Sequence, residues 1–130
     1  MIGYATLGTN DPARAKAFYD ALLGMLGAKR LMDMPDDREM TLYGTGMDRP
    51  MLGITRPYDG GEATPGNGGM LALMVDGRAQ VDAAYAKAME LGGADEGAPG
   101  VRGPEAMGFY GAYFRDPDGN KIALFHIGAA

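Results

Sequence analysis

The sequence predicts an α+β fold made of two βαβββ modules, and two observations carry this prediction. A strand, an amphipathic helix and further strands occur in the same order twice, in halves of about equal length. The chain also contains a strand, a tight turn and a second strand at residues 109–126. Because 130 residues suffice for one domain with a real core, we predict a single domain, 1–130, with module one at about 1–57 and module two at about 69–128.

Module one is predicted to begin with a strand at residues 2–9. The run Asn10-Asp11-Pro12 then supplies a helix N-cap and a proline suited to the first helical turn. Apolar residues recur at helical spacing over 13–26, and Gly27 is suited to the helix end. Short strands are predicted after it at 29–34, 39–44 and 50–56, followed by a polar, glycine-rich connection at 58–68.

Module two repeats this order. A strand is predicted at 69–75, a helix at 78–91 ended by Gly92-Gly93, a short strand at 94–96 and a loop at 99–107. In the closing hairpin Asp116-Pro117 starts the turn, and Gly119-Asn120 can take positive φ.

Composition excludes several partners. The net charge of −5 and the absence of a basic run argue against nucleic acid. The longest apolar stretch, about 21–28, is too short to span a bilayer, and no secretory signal is visible. Without cysteine the chain cannot form disulfides, so we expect a cytoplasmic location.

Missing residue types also limit the chemistry. The chain has no Cys and no Ser, and His126 is its only His. A Ser or Cys nucleophile with a His base is therefore impossible within one chain, as is a metal site that needs two His ligands. The run 44–49 lacks the third glycine of a dinucleotide motif, and no P-loop is present.

Three short motifs carry a resemblance to a known family. Phe18-Tyr19 lies in the first predicted helix, residues 64–68 (Thr-Pro-Gly-Asn-Gly) precede module two, and residues 116–120 (Asp-Pro-Asp-Gly-Asn) form the hairpin turn. Their order and spacing resemble the vicinal oxygen chelate superfamily, which includes glyoxalases, bleomycin resistance proteins and extradiol dioxygenases. The resemblance covers nearly the whole chain and implies two βαβββ modules that form a glyoxalase-like sheet or barrel around a central cavity.

The same resemblance bears on metal binding. In the metal-dependent members, the ligands are a His on the first strand, a His opening the module-two strand and a carboxylate on the last strand. The matching positions here are Tyr4, Met70 and Ala123. A phenol is a poor ligand near neutrality, a thioether suits soft metals, and alanine has no donor atom. We therefore predict a metal-free cavity and no cofactor.

Candidate ligand-binding residues combine these positions with nearby polar and aromatic side chains. Phe125 shares the strand face of Ala123, whereas His126 falls on the opposite face and is expected to be structural or interfacial. No catalytic residue is assigned, although Tyr4 and Tyr113 are candidates for an acid. The full set of predicted ligand-binding residues is Tyr4, Tyr43, Arg56, Met70, Tyr110, Tyr113, Ala123 and Phe125.

The function implied by the resemblance is that of a small-molecule-binding protein whose metal site has been lost. We expect a homodimer that holds a small, partly aromatic or apolar molecule, and drug sequestration is one version of this function. Alternatives are a glyoxalase-like lyase or dioxygenase with displaced ligands, and a metal-free isomerase or lyase. A further alternative is a relative whose cavity has been filled by methionine and aromatic side chains. Whether the barrel closes within one chain or across a dimer is left open.

Overall fold

The computed structural model describes residues 1–130, which divide into two compact units, residues 1–65 and residues 66–130. Each unit contains one helix and one four-stranded sheet, so the predicted α+β fold of two βαβββ modules is confirmed. Module one comprises β1 (Tyr4–Gly8), α1 (Pro12–Gly24), β2 (Lys29–Asp33), β3 (Thr41–Gly44) and β4 (Met51–Thr55). Module two comprises β5 (Leu71–Met74), α2 (Arg78–Glu90), β6 (Ala94–Val101), β7 (Phe109–Arg115) and β8 (Lys121–Ile127).

The two sheets follow the same path. Module one has the strand order β1-β4-β3-β2, and module two has the order β5-β8-β7-β6. In each module the first strand pairs in parallel with the last strand, and the remaining pairs are antiparallel. Each sheet is open and has two edge strands. Of the two expected forms, a sheet or a barrel, the structure shows two four-stranded sheets and no closed barrel.

Local chemistry explains the helix bounds. The Asp11 carboxylate accepts a hydrogen bond of 3.1 Å from the backbone N–H of Arg14, and Pro12 occupies the first turn. After the helices, Gly27 and Gly92 take φ values of +82° and +97°, which residues with a Cβ rarely adopt. Neither helix is long and apolar enough to cross a membrane.

Strand β6 is the element that the sequence predicted least well. The expected strand at 94–96 extends to Val101, and a short 3₁₀ helix, Glu105–Met107, lies in the expected loop. Pairing of β6 with β7 is interrupted by register shifts around Gly97, which lies opposite Tyr113, and before Gly100, which lies opposite Gly111. Glycine and proline within the strand hide its pairing, because both residue types are normally read as punctuation.

Each helix covers one face of its own sheet. Helix α1 buries Phe18, Tyr19 and Leu22, and its Tyr19 ring lies 6.3 Å from the ring of Tyr43 in β3. Side chains alternate along strands, so the opposite face of this sheet carries Tyr4, Thr6, Gly8, Leu42, Gly53 and Thr55. We call this surface the far face of module one.

The same alternation defines the far face of module two. Tyr110 of β7 donates a hydrogen bond to Asp82 of α2, which places Tyr110 on the helix side with its partner His126. The far face of module two therefore carries the intervening residues of the paired strands, which are Ala72, Met74, Phe109, Gly111, Tyr113, Lys121, Ala123 and Phe125.

Candidate functional site

A cavity of about 510 Å³ lies on the far face of module one. Its floor comprises Tyr4, Thr6 and Gly8 of β1 with Thr55 of β4. Arg38, Met40 and the segments 56–59 and 62–64 form its walls. The floor follows from strand alternation, because Tyr4, Thr6 and Gly8 occupy every second position of β1.

Asn10 fastens the wall of the cavity to the end of β1. The Asn10 Nδ2 donates to the carbonyl oxygen of Ala63 at 3.0 Å, and the Asn10 Oδ1 accepts from the N–H of Ala63 at 2.7 Å. A Cβ atom added at Gly8 would lie 3.0 Å from the Ala63 Cβ, so the absence of a side chain at Gly8 allows this close approach. The loop at residues 62–64 is therefore held to the end of β1 through the N–H and the carbonyl group of Ala63.

Both arginines that line this cavity have acidic partners. The Arg38 guanidinium lies 5.5 Å from the centroid of the Tyr58 ring and 3.2 Å from the Asp36 carboxylate, whose pKa it lowers. The Arg56 Nε lies 3.5 Å from a carboxylate oxygen of Glu39. Since both arginines have acidic partners, the cavity suits a neutral or weakly charged molecule better than a strongly anionic one.

Two of the predicted ligand-binding residues line this cavity. Tyr4 is 60 % exposed on its floor, and Arg56 stands at its wall. The Arg56 guanidinium lies beside Glu39 in the structure.

The prediction that Tyr43 contacts a ligand needs correction. Tyr43 is 1 % exposed and faces α1, where its hydroxyl donates to Asp20 at 2.8 Å. Burial raises the pKa of the Tyr43 hydroxyl, and the hydrogen bond to Asp20 adds to the rise. All four residues of β3 are buried. Because neither face of this strand is exposed to solvent, its sequence shows no alternation of polar and apolar side chains from which the two faces could be assigned.

Tyr110 also points away from the far face. Its hydroxyl donates to the Asp82 carboxylate at 2.6 Å, which raises the pKa of Tyr110, and the Arg78 guanidinium lies 5.1 Å from its ring. These contacts fasten β7 to α2. These contacts give Tyr110 a structural role on the helix side of the sheet.

Three other predicted residues do share the far face of module two. Ala123 lies opposite Tyr113, and the ring of Phe125 stacks on Phe109 at 5.3 Å with an interplanar angle of 7°. Ala123 is only 2 % exposed, so its methyl group does not border an open void. Met70 precedes β5 and is 49 % exposed.

His126 lies on the helix side, as alternation predicted. Its Nδ1 lies 3.0 Å from the carbonyl oxygen of Val75, which joins β8 to the end of β5. This contact gives the only histidine of the chain a structural partner.

Comparison with known proteins places the chain in a family. Residues 1–124 match the model of the Glyoxalase/Bleomycin resistance protein/Dioxygenase superfamily. The chain belongs to this superfamily. No protein with a curated description matches the sequence.

Solved structures of superfamily proteins agree with this assignment. A glyoxalase/bleomycin resistance protein from Albidiferax ferrireducens T118 is 37 % identical, with a TM-score of 0.84 over 98 % of this chain and 99 % of that chain. A superfamily enzyme from Burkholderia phytofirmans PsJN is 18 % identical, with a TM-score of 0.75 over 97 % and 98 %. A lactoylglutathione lyase from Agrobacterium tumefaciens is 24 % identical, with a TM-score of 0.68 over 97 % and 92 %. The last two show likeness of fold alone.

The metal of the metal-dependent superfamily members does not fit the residues of this chain. The positions implied for the ligands carry a phenol, a thioether and a methyl group, at Tyr4, Met70 and Ala123. No group of three His, Cys, Asp or Glu side chains lies close enough together to hold a metal ion.

Several residues around the cavity were missed by the sequence analysis. Thr6 could have been found, since it shares a strand face with Tyr4. Tyr58 also gave a signal, as a large aromatic residue within a polar, glycine-rich loop. Arg38 and Asn10 gave none, because their roles depend on how residues 57–65 fold back onto β1.

Proposed function

We propose that this superfamily member binds a small, partly aromatic or apolar molecule in the cavity of module one, without a metal. The observation that supports this most is the cavity itself, whose volume of about 510 Å³ falls within the roughly 300–1,000 Å³ of small-molecule pockets. Met40 and Ala63 offer apolar surface, while Tyr4, Thr6 and Thr55 offer hydroxyl groups. The lining also includes the rings of Tyr4 and Tyr58 and the carboxylates of Asp59 and Glu62, so it combines aromatic and polar groups.

The likeness to a protein named glyoxalase/bleomycin resistance protein supports binding of an organic molecule, with drug sequestration as one version. A cytoplasmic location and a homodimer remain parts of the proposal. The lack of cysteine supports the first of these.

Substitution of Thr6 tests the proposal. Thr6→Tyr places a phenol ring on the cavity floor, and Thr6 is exposed on an edge strand, so the free energy of unfolding should change by only about 0.5 kcal/mol. A library of neutral aromatic compounds would be screened by thermal shift, and the dissociation constant of each hit measured by calorimetry. Thr6→Tyr should weaken binding of the hits at least roughly tenfold, which corresponds to about 1.4 kcal/mol.

Tyr43→Phe is the control, since the hydroxyl of Tyr43 faces α1 and not the cavity. This variant should lose about 1 kcal/mol of stability and keep the dissociation constant of wild type. The proposal fails if no compound binds wild type, or if Thr6→Tyr binds the hits as tightly as wild type. Conversion of a bound hit to a product would instead favour the alternative of an enzyme.

A further inference from the structure

A cavity of about 410 Å³ lies at the end of the module-two sheet where α2 begins and β8 ends. It is lined by Arg78 of α2, by the short helix Glu105–Met107 and by residues 127–130. Its volume falls within the roughly 300–1,000 Å³ of small-molecule pockets. Among the side chains that line it, only those of Arg78 and Glu105 carry a charge, so its preference for a charged ligand depends on these two groups.

Arg78 reaches this cavity from the helix side of the sheet. Its guanidinium carbon lies 5.1 Å from the centroid of the Tyr110 ring, which belongs to that side. Its Nη2 donates to the carbonyl oxygen of Gly128 at 3.2 Å. Its Nε is the only buried side-chain nitrogen or oxygen in the chain that has no hydrogen-bond partner. The guanidinium is thus held in place with part of its hydrogen-bonding capacity unused.

Two glycines shape the wall of the cavity beside the guanidinium. Gly108 has a φ of +67°, and a Cβ atom there would lie 3.0 Å from the carbonyl oxygen of Gly128. The N–H of Gly128 donates to the carbonyl oxygen of Gly108 at 2.9 Å. The absence of a side chain at Gly108 therefore lets residues 127–130 lie against the start of β7, where the Gly128 carbonyl accepts from Arg78.

The charge of Arg78 is less compensated than that of other arginines with a carboxylate partner. Its Nη2 lies 3.9 Å from a carboxylate oxygen of Glu105, whose side chain is 78 % exposed. The side chain of Arg78 is 17 % exposed. The comparable values are 2.6–3.5 Å and 32–43 % exposed for Arg30, Arg38, Arg56 and Arg115. Water screens an exposed partner at this distance, so Arg78 keeps positive charge available to an anion.

We propose that this cavity binds a small monocarboxylate with an aliphatic chain, and that the carboxylate pairs with Arg78. The Nη1 of Arg78 makes no hydrogen bond and, unlike Nε, is not buried, and the planar donors of a guanidinium match carboxylate oxygens. Met107 and Ile127 are exposed and offer apolar surface to the chain of the ligand.

The same charges favour a carboxylate over a phosphate dianion. One cation with Glu105 beside it compensates a single negative charge, and a second negative charge would be repelled by Glu105. The proposal concerns residues of module two alone and does not rest on the cavity of module one.

Titration of the full-length protein with four probes tests the site. The probes are hexanoate, hexanamide as its neutral counterpart, acetate without the chain, and hexyl phosphate, which is a dianion at a pH of about 8. Dissociation constants would be measured at that pH by nuclear magnetic resonance titration, in which the amides of Gly108 and Gly128 should shift. Hexanoate should bind roughly tenfold or more tightly than hexanamide and acetate, and more tightly than hexyl phosphate. Its affinity should fall as salt is raised.

Two substitutions assign the effect to the charges of the cavity. Arg78→Gln should weaken hexanoate roughly tenfold and leave hexanamide unchanged. Glu105→Gln removes the carboxylate that competes for Arg78, so it should tighten hexanoate roughly two- to fivefold. Because Glu105 is largely exposed, this variant tests the site even if Arg78→Gln lowers the melting temperature. Glu90→Gln is the control, since it makes the same change of net charge at the other end of α2 and should leave the affinity unchanged.

The proposal is overturned if hexanamide or acetate binds as tightly as hexanoate, or if hexyl phosphate binds more tightly. Failure of hexanoate to bind wild type would overturn it as well, as would unchanged affinity in Glu105→Gln or in a folded Arg78→Gln. An equal gain of affinity in Glu90→Gln would show only a general effect of net charge, and would also overturn it. So would shifts confined to amides outside the residues that line the cavity.

Discussion

At the scale of single residues, Asp20 joins three elements of module one. Its carboxylate accepts hydrogen bonds from Arg30 of β2 at 2.8 Å and 2.6 Å, and from the hydroxyl of Tyr43 of β3 at 2.8 Å. Asp20 itself lies on α1, so this one side chain ties the helix to two strands. Arg30 also lies 3.5 Å from Asp33, which extends the network along β2.

Stability at acid pH should depend on Asp20. Hydrogen bonds from Arg30, followed by that from Tyr43, hold the pKa of Asp20 below its ordinary value of 3.8, against the opposing effect of partial burial. Because the pKa in the folded state lies below that of the unfolded state, the stabilisation is present above pH about 4 and is lost as the pH falls through the folded value. Asp20→Asn cannot titrate, and its free energy of unfolding should decline less steeply below pH 4.

Urea unfolding of wild type and Asp20→Asn between pH 7 and pH 3 measures this difference. At pH 7 the variant should be less stable by about 1 kcal/mol, since the pair is partly exposed and water screens it. Both proteins keep Asp33, Asp36, Asp95 and Glu96, whose pKa values are also lowered, so both should lose some stability in acid. Equal slopes below pH 4 would contradict the role assigned to Asp20.

At the scale of elements, the side chain of Asn10 holds the loop that contains Ala63, which forms part of the cavity wall. Asn10 pairs with both backbone groups of Ala63, which is 8 % exposed, across 53 residues of sequence. Asn10→Ala should lower the free energy of unfolding by roughly 1–3 kcal/mol, because the N–H and C=O of Ala63 lose their partner. Binding of the compounds found in the Thr6 screen should weaken in this variant.

Hydrogen exchange distinguishes loosening of this loop from general destabilisation. The amide of Ala63 should exchange faster in Asn10→Ala, while amides of β7 and β8 keep their relative order of protection. Asn67→Ala is the matched control, because Asn67 is an exposed loop asparagine with no hydrogen-bond partner in the structure. Unchanged exchange at Ala63 in Asn10→Ala would show that other contacts hold the loop.

The elements themselves follow from local patterns more closely than the site does. Helical spacing predicted α1 and α2 with ends within two residues of those observed, since apolar faces and glycine ends are local properties. Strand β6 was underestimated because its pairing runs through bulges at Gly97 and Gly100. The face of Tyr43 was not predictable, because an aromatic hydroxyl suits either a helix-facing hydrogen bond or a ligand. For Tyr110, alternation already predicts a face opposite to that of Tyr113, three residues further along the same strand.

Tertiary contacts account for the remaining residues of the candidate sites. Arg56 lies at a predicted strand end, and its approach to Glu39 cannot be predicted from local sequence because the two residues lie on different segments of the chain. Alternation along the predicted strand did place Ala123 and Phe125 on one face. The sequence therefore predicted which residues share a strand face better than it predicted which charged side chains form ion pairs.

At the scale of the whole molecule, the same βαβββ arrangement of one helix and four strands occurs twice along the chain. Each module pairs its first strand in parallel with its last strand. These paired strands hold Tyr4 in one module and Ala123 in the other, while Met70 directly precedes β5. Strand pairing and helix packing within each module account for the fold.

The last prediction concerns the metal content of the intact protein. Protein purified without a histidine tag should contain far less than one zinc, iron, manganese or nickel ion per chain by elemental analysis. Treatment with a chelator should leave the melting temperature unchanged, because the chain has no cluster of His, Cys, Asp or Glu side chains from which a chelator could remove a metal ion. Addition of zinc or manganese should likewise give no shift, whereas a real site at a metal concentration about 100 times its dissociation constant would add roughly 2.7 kcal/mol. One metal ion per chain, or activity on a hemithioacetal or catechol that a chelator abolishes, would show that residues other than those at positions 4, 70 and 123 bind the metal.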